Sequence, residues 1–408
     1  MNSTLSLDTV ATLLLTASLG QSRRDKEIGP LSHGEYNALA RLLAAQGLRP
    51  SSLLELSATD RLAATMDAAF VRRLDALLQR GFLLAQRTVR WEQRGIWVCS
   101  RADSDYPQRL RNALREKAPP VLFGCGPLSV LQSHGLAVVG SRHADDRDLG
   151  EARHLGALAA DAGLTVISGG ARGVDQAAMF GATDAGGRAC GVLSDSLWSA
   201  VVRRDYRDSI IDGRLVLMSA EDPEARFFVG AAMKRNAYIH RLADASVVVV
   251  SDLGRGGTWA GAVEHLTQSE RTPLFVWPSP ERPALAALVE RGARWWPEPA
   301  SGAALTACLA KPSTLAEEPS APASTAPDAP AIEANAMPGH EALCGRDEGD
   351  AQRLPVPIMA SSTPGSKSEH PAQERVSAPA ARRTRKRSAL AGAAEQLVLP
   401  MTAGPRED

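Results

Sequence analysis

The spacing of apolar positions changes character twice along the chain. From Leu5 to about Arg90, apolar residues recur at three- and four-residue steps, the period of a helix with one buried face. Ser32 and Glu35 have capping-box spacing ahead of Tyr36, Leu39, Leu42 and Leu43. Phe70, Leu74, Leu77 and Leu78 mark another amphipathic helix, stopped by Gly81. The apolar run Val10 to Leu19 follows Asp8 rather than a basic segment and is too short to span a bilayer, so it reads as a core helix. A small helical domain over residues 1–90 is expected. Arg72, Arg73 and Arg80 on its helices are either solvated surface or a DNA contact.

Beyond Gly95 the period shortens to compact apolar runs: Ile96 to Val98, Val121 to Phe123, Leu136 to Val139, Leu164 to Ser168, Ala189 to Leu193, Leu215 to Met218, Ala245 to Val250 and Pro273 to Pro278. Such runs, bounded by glycine and separated by helical stretches such as Glu151 to Ala162 and Asp175 to Asp184, suit strands buried on both faces with helical crossovers. The expected class is α/β: an extended Rossmann-like parallel sheet with helices on both faces over residues 91–300, the run ending at Pro278 forming its last strand. Ligands of such sheets bind at the carboxyl ends of the strands.

Glycine loops stand at those ends. Leu136 to Val139 runs into Gly140, Ser141 and Arg142. Leu164 to Ser168 runs into Gly169, Gly170, Ala171, Arg172 and Gly173. Glycine lets a phosphate approach the backbone, and the helix that follows supplies N–H groups and a favourable dipole. Arg142 and Arg172 occupy corresponding loops, so two guanidinium groups can face one anionic backbone. Gly257 and Thr258 open a further helix in the same manner. Asp175 has two readings, a carboxylate that fixes the glycine loop by accepting N–H bonds or an acid-base group. No histidine, second carboxylate or nucleophile lies nearby in sequence to complete a reaction, which favours the first.

Gly140-Ser141-Arg142, the run Ser168 to Asp175, and Lys234-Arg235-Asn236 followed by Ile239 and Leu242 together resemble the signature set of the DNA processing protein A (Smf) family. The resemblance spans roughly Leu5 to Trp296. It implies an extended-Rossmann, non-enzymatic, single-stranded DNA-binding protein that loads a recombinase of the RecA type onto DNA during uptake and transformation or recombination, and that forms a homodimer. It places phosphate contacts at Gly140, Ser141, Arg142, Ser168, Gly169, Gly170, Arg172, Gly173, Lys234, Arg235, Asn236, Gly257 and Thr258. Phe227 or Phe228 would stack on an unpaired base, with at least one of the two belonging to the core.

The chain departs from the family at two places. Between the strands ending at Leu193 and Met218 it carries Arg203, Arg204, Asp205, Tyr206 and Arg207 in place of a Tyr-Pro element; these arginines either extend a basic groove or form a charged helix face. At Ser251 to Thr258 the loop is altered. That keeps a rival reading, a nucleotide-binding Rossmann protein related to phosphoribohydrolases and ligand-sensing domains. Those enzymes need a working glutamate close to the glycine loop, and Glu264 lies too far along.

Composition narrows the picture further. Lys plus Arg and Asp plus Glu both number 46, so a DNA site must be a local patch and not a global field. The five cysteines, Cys99, Cys125, Cys190, Cys308 and Cys344, show no metal-ligand spacing, and there is no Gly-x-x-x-x-Gly-Lys-Ser/Thr loop. Reduced thiols in a cytosolic protein without cofactor, metal or membrane segment are expected. Residues 301–408, rich in Pro, Ala, Ser and Thr, read as a disordered tail. Within it, Arg382, Arg383, Arg385, Lys386 and Arg387 form a basic run suited to nucleic acid. Residues 395–401 resemble peptides that dock on the bacterial sliding clamp.

Overall fold

The computed structural model describes residues 5–20, 29–55, 66–194, 196–269 and 271–310. The basic run at 382–387, the 395–401 segment and Cys344 lie outside the described residues. The described residues belong to one compact unit.

Among the described residues four α-helices precede the sheet: α1 (Leu7–Thr16), α2 (His33–Ala45), α3 (Ala68–Leu78) and α4 (Gly81–Gln93). The capping box at α2 is made in full, the Ser32 hydroxyl accepting from the Glu35 N–H and the Glu35 carboxylate from the Ser32 N–H. Leu15, Tyr36, Leu39, Leu43, Leu74 and Leu77 close a small core of their own. Another face of the same helices, with Leu13, Leu14, Leu84 and Trp91, belongs to the main core. Two of the arginines expected as surface or DNA contacts are internal. Arg73 pairs with Glu35 at 2.7 Å and holds the carbonyls of Gly29 and Pro30. Arg80 is buried and donates to the carbonyls of Leu14 and Ala17, its pKa lowered to about 10 by desolvation. Both satisfy backbone that an apolar side chain would leave bare. Arg72 is exposed.

The sheet has nine strands in the order β1-β2-β6-β5-β4-β3-β7-β8-β9: β1 Trp97–Ser100, β2 Val121–Cys125, β3 Gly135–Val139, β4 Thr165–Ser168, β5 Arg188–Leu193, β6 Leu215–Ser219, β7 Ala245–Val248, β8 Leu274–Val276 and β9 Arg294–Trp295. Pairings from β6 through to β9 are parallel, while β1 with β2 and β2 with β6 are antiparallel. The sheet is thus mixed and mostly parallel. The run ending at Pro278 is not its last strand: Trp296 folds back beside Phe275, ring centroids 5.4 Å apart, and carries the two-residue β9 to the edge. No periodicity betrays a strand that short.

Among the described residues nine more α-helices connect and flank the strands: α5 (Gln108–Leu114), α6 (Asp146–Asp161), α7 (Val174–Asp184), α8 (Leu197–Ala200), α9 (Arg204–Ile211), α10 (Val229–Leu242), α11 (Gly256–Leu266), α12 (Pro283–Glu290) and α13 (Gly302–Ala310). The arginines of α5 find partners the sequence left open, Arg109 on Asp244 and Arg111 on the Asp103 carbonyl. Helices α6 and α7 cross almost backbone to backbone. A Cβ on Gly156 would stand 2.2 Å from the Ala178 carbonyl oxygen, and one on Gly181 2.2 Å from that of Arg153. Helix α13 lies inside the span expected to be tail: Leu305 is fully buried, and the Gly302 N–H is held by Asp161 at 2.6 Å.

Under α10 and α11, His240 and His265 stack with centroids 4.7 Å apart. His240 bonds the Ser246 hydroxyl at 2.8 Å and His265 the Thr272 carbonyl at 2.8 Å. Burial pushes His240 down to about 3, helped by His265 and Arg241, and burial likewise lowers His265. A histidine that resists protonation when folded leaves stability intact above its unfolded pKa near 6.5 and forfeits it as pH falls below that value. Urea titrations at pH 7.5 and 5.5 should therefore show a loss of about 1.4 kcal/mol from His240 alone. That pH-dependent share disappears in His240→Asn.

Candidate nucleic-acid interface

The carboxyl ends of β3, β4 and β7 and the starts of α10 and α11 enclose a cavity of about 520 Å3. Gly140, Ser141 and Arg142 continue β3 along its rim. Gly140 is needed because the Val174 side chain packs where its Cβ would be, at 2.5 Å. The Ser141 N–H is held by the Val250 carbonyl at 3.0 Å, and its hydroxyl accepts from the His143 N–H at 3.1 Å, which leaves the hydroxyl proton for a ligand. Arg142 is exposed, and its side chain makes no ion pair or hydrogen bond among the described residues.

The β4 loop lies directly beside it. Gly173 takes φ +96° as N-cap of α7, and a Cβ there would fall 2.7 Å from the Ser141 carbonyl oxygen and 3.1 Å from the Arg142 Cα. Arg172, next in the loop, is exposed and likewise unpaired among the described residues. The two glycine loops are therefore in contact, with both arginines turned outward. Asp175, in the first turn of α7, is buried and accepts the Gly169 N–H at 3.1 Å, with the N–H groups of Gly140 and Ala171 also holding it. Burial raises its pKa, opposed by the Arg235 guanidinium 3.8 Å away and by those N–H bonds. Its carboxylate thus ties the β3 loop, the β4 loop and α10 together.

Several expected contacts are placed elsewhere. Ser168 is fully buried and donates its hydroxyl to the Val138 carbonyl at 2.6 Å, so it joins β4 to β3 and faces no ligand. Arg235 is only 9% exposed and lies over Gly169, whose missing Cβ would sit 1.5 Å from Nη1. Its charge is matched internally by Asp175. Lys234, one residue earlier, points from a different face of α10 and lines a depression with His33 and Tyr238, away from Arg142. A helix turns about 100° per residue, so adjacent cations cannot share one strip. Gly170 makes room at φ +66° for Leu193 and Tyr206.

Asn236 lines the cavity, its amide donating to the Gly257 carbonyl at 3.0 Å and so setting the start of α11. Thr258 donates its hydroxyl to the Gly140 carbonyl at 2.9 Å; what it keeps for an anion is the backbone N–H of the first turn. Phe227 and Phe228 are 52% and 42% exposed, so neither is core, contrary to the expectation for at least one of them. Phe227 borders the cavity. Among the lining residues that the sequence did not single out are His143, Ser251, Asp252 and Arg255. Ser251 is buried in the wall with no hydrogen-bond partner for its hydroxyl among the described residues. The signal for it was the altered loop after β7, which glycine counting passed over. Glu264 lies on the Lys234 side, outside this cavity.

Glycine loops, exposed arginines and a helix start around one cavity at a switch in strand order belong to an α/β protein of the extended Rossmann kind, with a cleft whose chemistry suits an anion. The chain belongs to the DNA recombination-mediator protein A family, whose model matches residues 97–301. Its fold is similar to that of DNA processing protein A from Streptococcus pneumoniae, at 19% identity and a TM-score of 0.52 over 74% of this chain and 98% of that one. Slighter likenesses are to DNA processing protein A from Helicobacter pylori (20% identity, TM-score 0.40, 48% and 88% of the two chains) and to the molybdenum cofactor carrier protein from Chlamydomonas reinhardtii (23%, 0.30, 44% and 99%). No curated protein matches the chain in sequence. Among the described residues no helix is long and apolar enough to cross a membrane.

Proposed function

We propose that this protein binds single-stranded DNA at the carboxyl ends of β3 and β4 and acts without catalysis in DNA processing during uptake or recombination. The observation that carries the reading is the pair Arg142 and Arg172, exposed and without internal partners among the described residues, on two loops in direct contact. Family membership supports it. Guanidinium groups with no internal partner hold phosphates by charge and by paired hydrogen bonds, and Phe227 at the rim offers a stacking surface. The expected absence of a reaction accords with Asp175, which is occupied with three N–H groups and a guanidinium, and with Glu264 on another face. Delivery of the strand to a recombinase of the RecA type, a homodimer, clamp docking through residues 395–401 and a tail contact through 382–387 belong to the same reading.

Fluorescence anisotropy with single-stranded DNA, duplex and RNA is the test. Single-stranded DNA should bind tightest, and Arg142→Gln with Arg172→Gln should weaken it by about tenfold per arginine while the thermal unfolding curve stays unchanged. Preference for duplex, or parental affinity in the double variant, would remove the reading. Release of free base from nucleoside monophosphates would replace it with the phosphoribohydrolase reading.

A further inference from the structure

The row of exposed arginines does not end at β4. In the sheet β3, β4 and β5 are consecutive neighbours, and each runs at its carboxyl end into a connection bearing exposed arginine. After β3 comes Arg142, after β4 Arg172, and after β5 the short helix α9 with Arg204 and Arg207. These last two are three residues apart, hence on one side of the helix. Both are exposed, and neither side chain makes an ion pair or hydrogen bond among the described residues.

Helix α9 is fixed to the glycine loop. Tyr206 between the two arginines is buried, and its hydroxyl donates to the Gly170 carbonyl at 3.3 Å with Gln176 3.0 Å away. The guanidinium of Arg203 lies over the Tyr206 ring at 4.7 Å and pairs with Asp205 at 2.7 Å, so that arginine and that carboxylate neutralise each other. Asp208 is the remaining exposed acid of the helix. Arg204 and Arg207 together outweigh it. Strands lie about 4.8 Å apart, so the tips from β3 to β5 span roughly 10 Å in a line. The apolar side chains of Val202 and Ile211, 59% and 71% exposed, flank the helix and offer dry surface to unstacked bases.

We infer that the phosphate track of the proposed single-strand site continues past Arg172 onto α9, where Arg204 and Arg207 take two further phosphates. The inference rests on the single-strand reading. A strand filling only the β3 and β4 tips gains nothing from α9, whereas a longer one does.

Anisotropy titrations against salt separate the two, using full-length protein with a trinucleotide, whose two phosphates fill only the β3 and β4 tips, as the short strand and an oligonucleotide of about 30 nucleotides as the long one. In the variant Arg204→Gln with Arg207→Gln, the long oligonucleotide should show a salt slope shallower by about 1.4, which is about sevenfold less affinity lost between 50 and 200 mM salt. The short one should bind as to the parent. An unchanged slope on the long strand, or an equal loss on both strands, overturns the extension. Arg142→Gln, run alongside, reports on the reading beneath it: parental binding of both strands in that variant sinks the site itself, whereas its loss together with an unchanged α9 variant sinks the extension alone.

Discussion

Replacing Arg235 by methionine should lower the free energy of unfolding by about 3–5 kcal/mol in urea denaturation, the largest effect of any single change at the site. The guanidinium is almost wholly buried above Gly169 and 3.8 Å from the equally buried Asp175. Methionine replaces the apolar stem of the side chain but not its guanidinium, and so leaves a carboxylate in the interior with only N–H groups to balance it. A buried charge without its counterion must take up a proton or draw in water. Asp175→Asn should cost less, because the amide still accepts one N–H bond, and the double variant should recover part of the loss. A double variant as unstable as the sum of the singles would mean that the pair is not coupled.

Gly156→Leu should be similarly damaging, with a loss of about 3 kcal/mol or more. Leucine is the better helix former by about 1 kcal/mol, so propensity alone predicts a gain. Sterics decide the sign. The atom that a Cβ would meet, 2.2 Å away, is the backbone oxygen of Ala178 and not the tip of a flexible side chain, so relief requires moving α7 bodily. Because α7 is capped by Gly173 and carries Asp175, its displacement also pulls on the β4 loop. Single-stranded DNA affinity should fall with stability in Gly156→Leu, while Gly150→Leu on the same helix, where a Cβ meets nothing within 4 Å, should leave affinity unchanged and show the propensity gain in stability.

The strands from β1 to β8 were legible because each is a short apolar run, with glycine closing β2, β3 and β4, and the parallel core from β5 through β7 lies where those runs placed it. Strand β9 was not, since two exposed residues carry no pattern. At the site, glycines announced the loops, and residue type alone announced Arg142 and Arg172. Residue type could not distinguish Arg235 from Lys234. One is sealed against Asp175 and the other faces the N-terminal helices, a difference set by helix rotation and by a carboxylate sixty positions earlier. Ser168 and Thr258 were misjudged for a related reason: a hydroxyl beside a glycine loop is as able to staple two strands as to meet a ligand, and here both face carbonyls. The internal use of Arg73 and Arg80 also depends on which backbone groups end up bare, which no local period reports.

The helices ahead of the sheet share its core. Trp91 stands edge-on to Phe123 of β2 at 5.1 Å, and Thr9 of α1 bonds both Ser100 at 2.7 Å and Asp103 at 2.6 Å. The described helices among the opening ninety residues are therefore a wall of the sheet and not a detachable module. Anyone trimming this protein to a minimal binding fragment would have to rebuild that wall, since a cut at residue 95 strips the outermost antiparallel strands of their greasy backing.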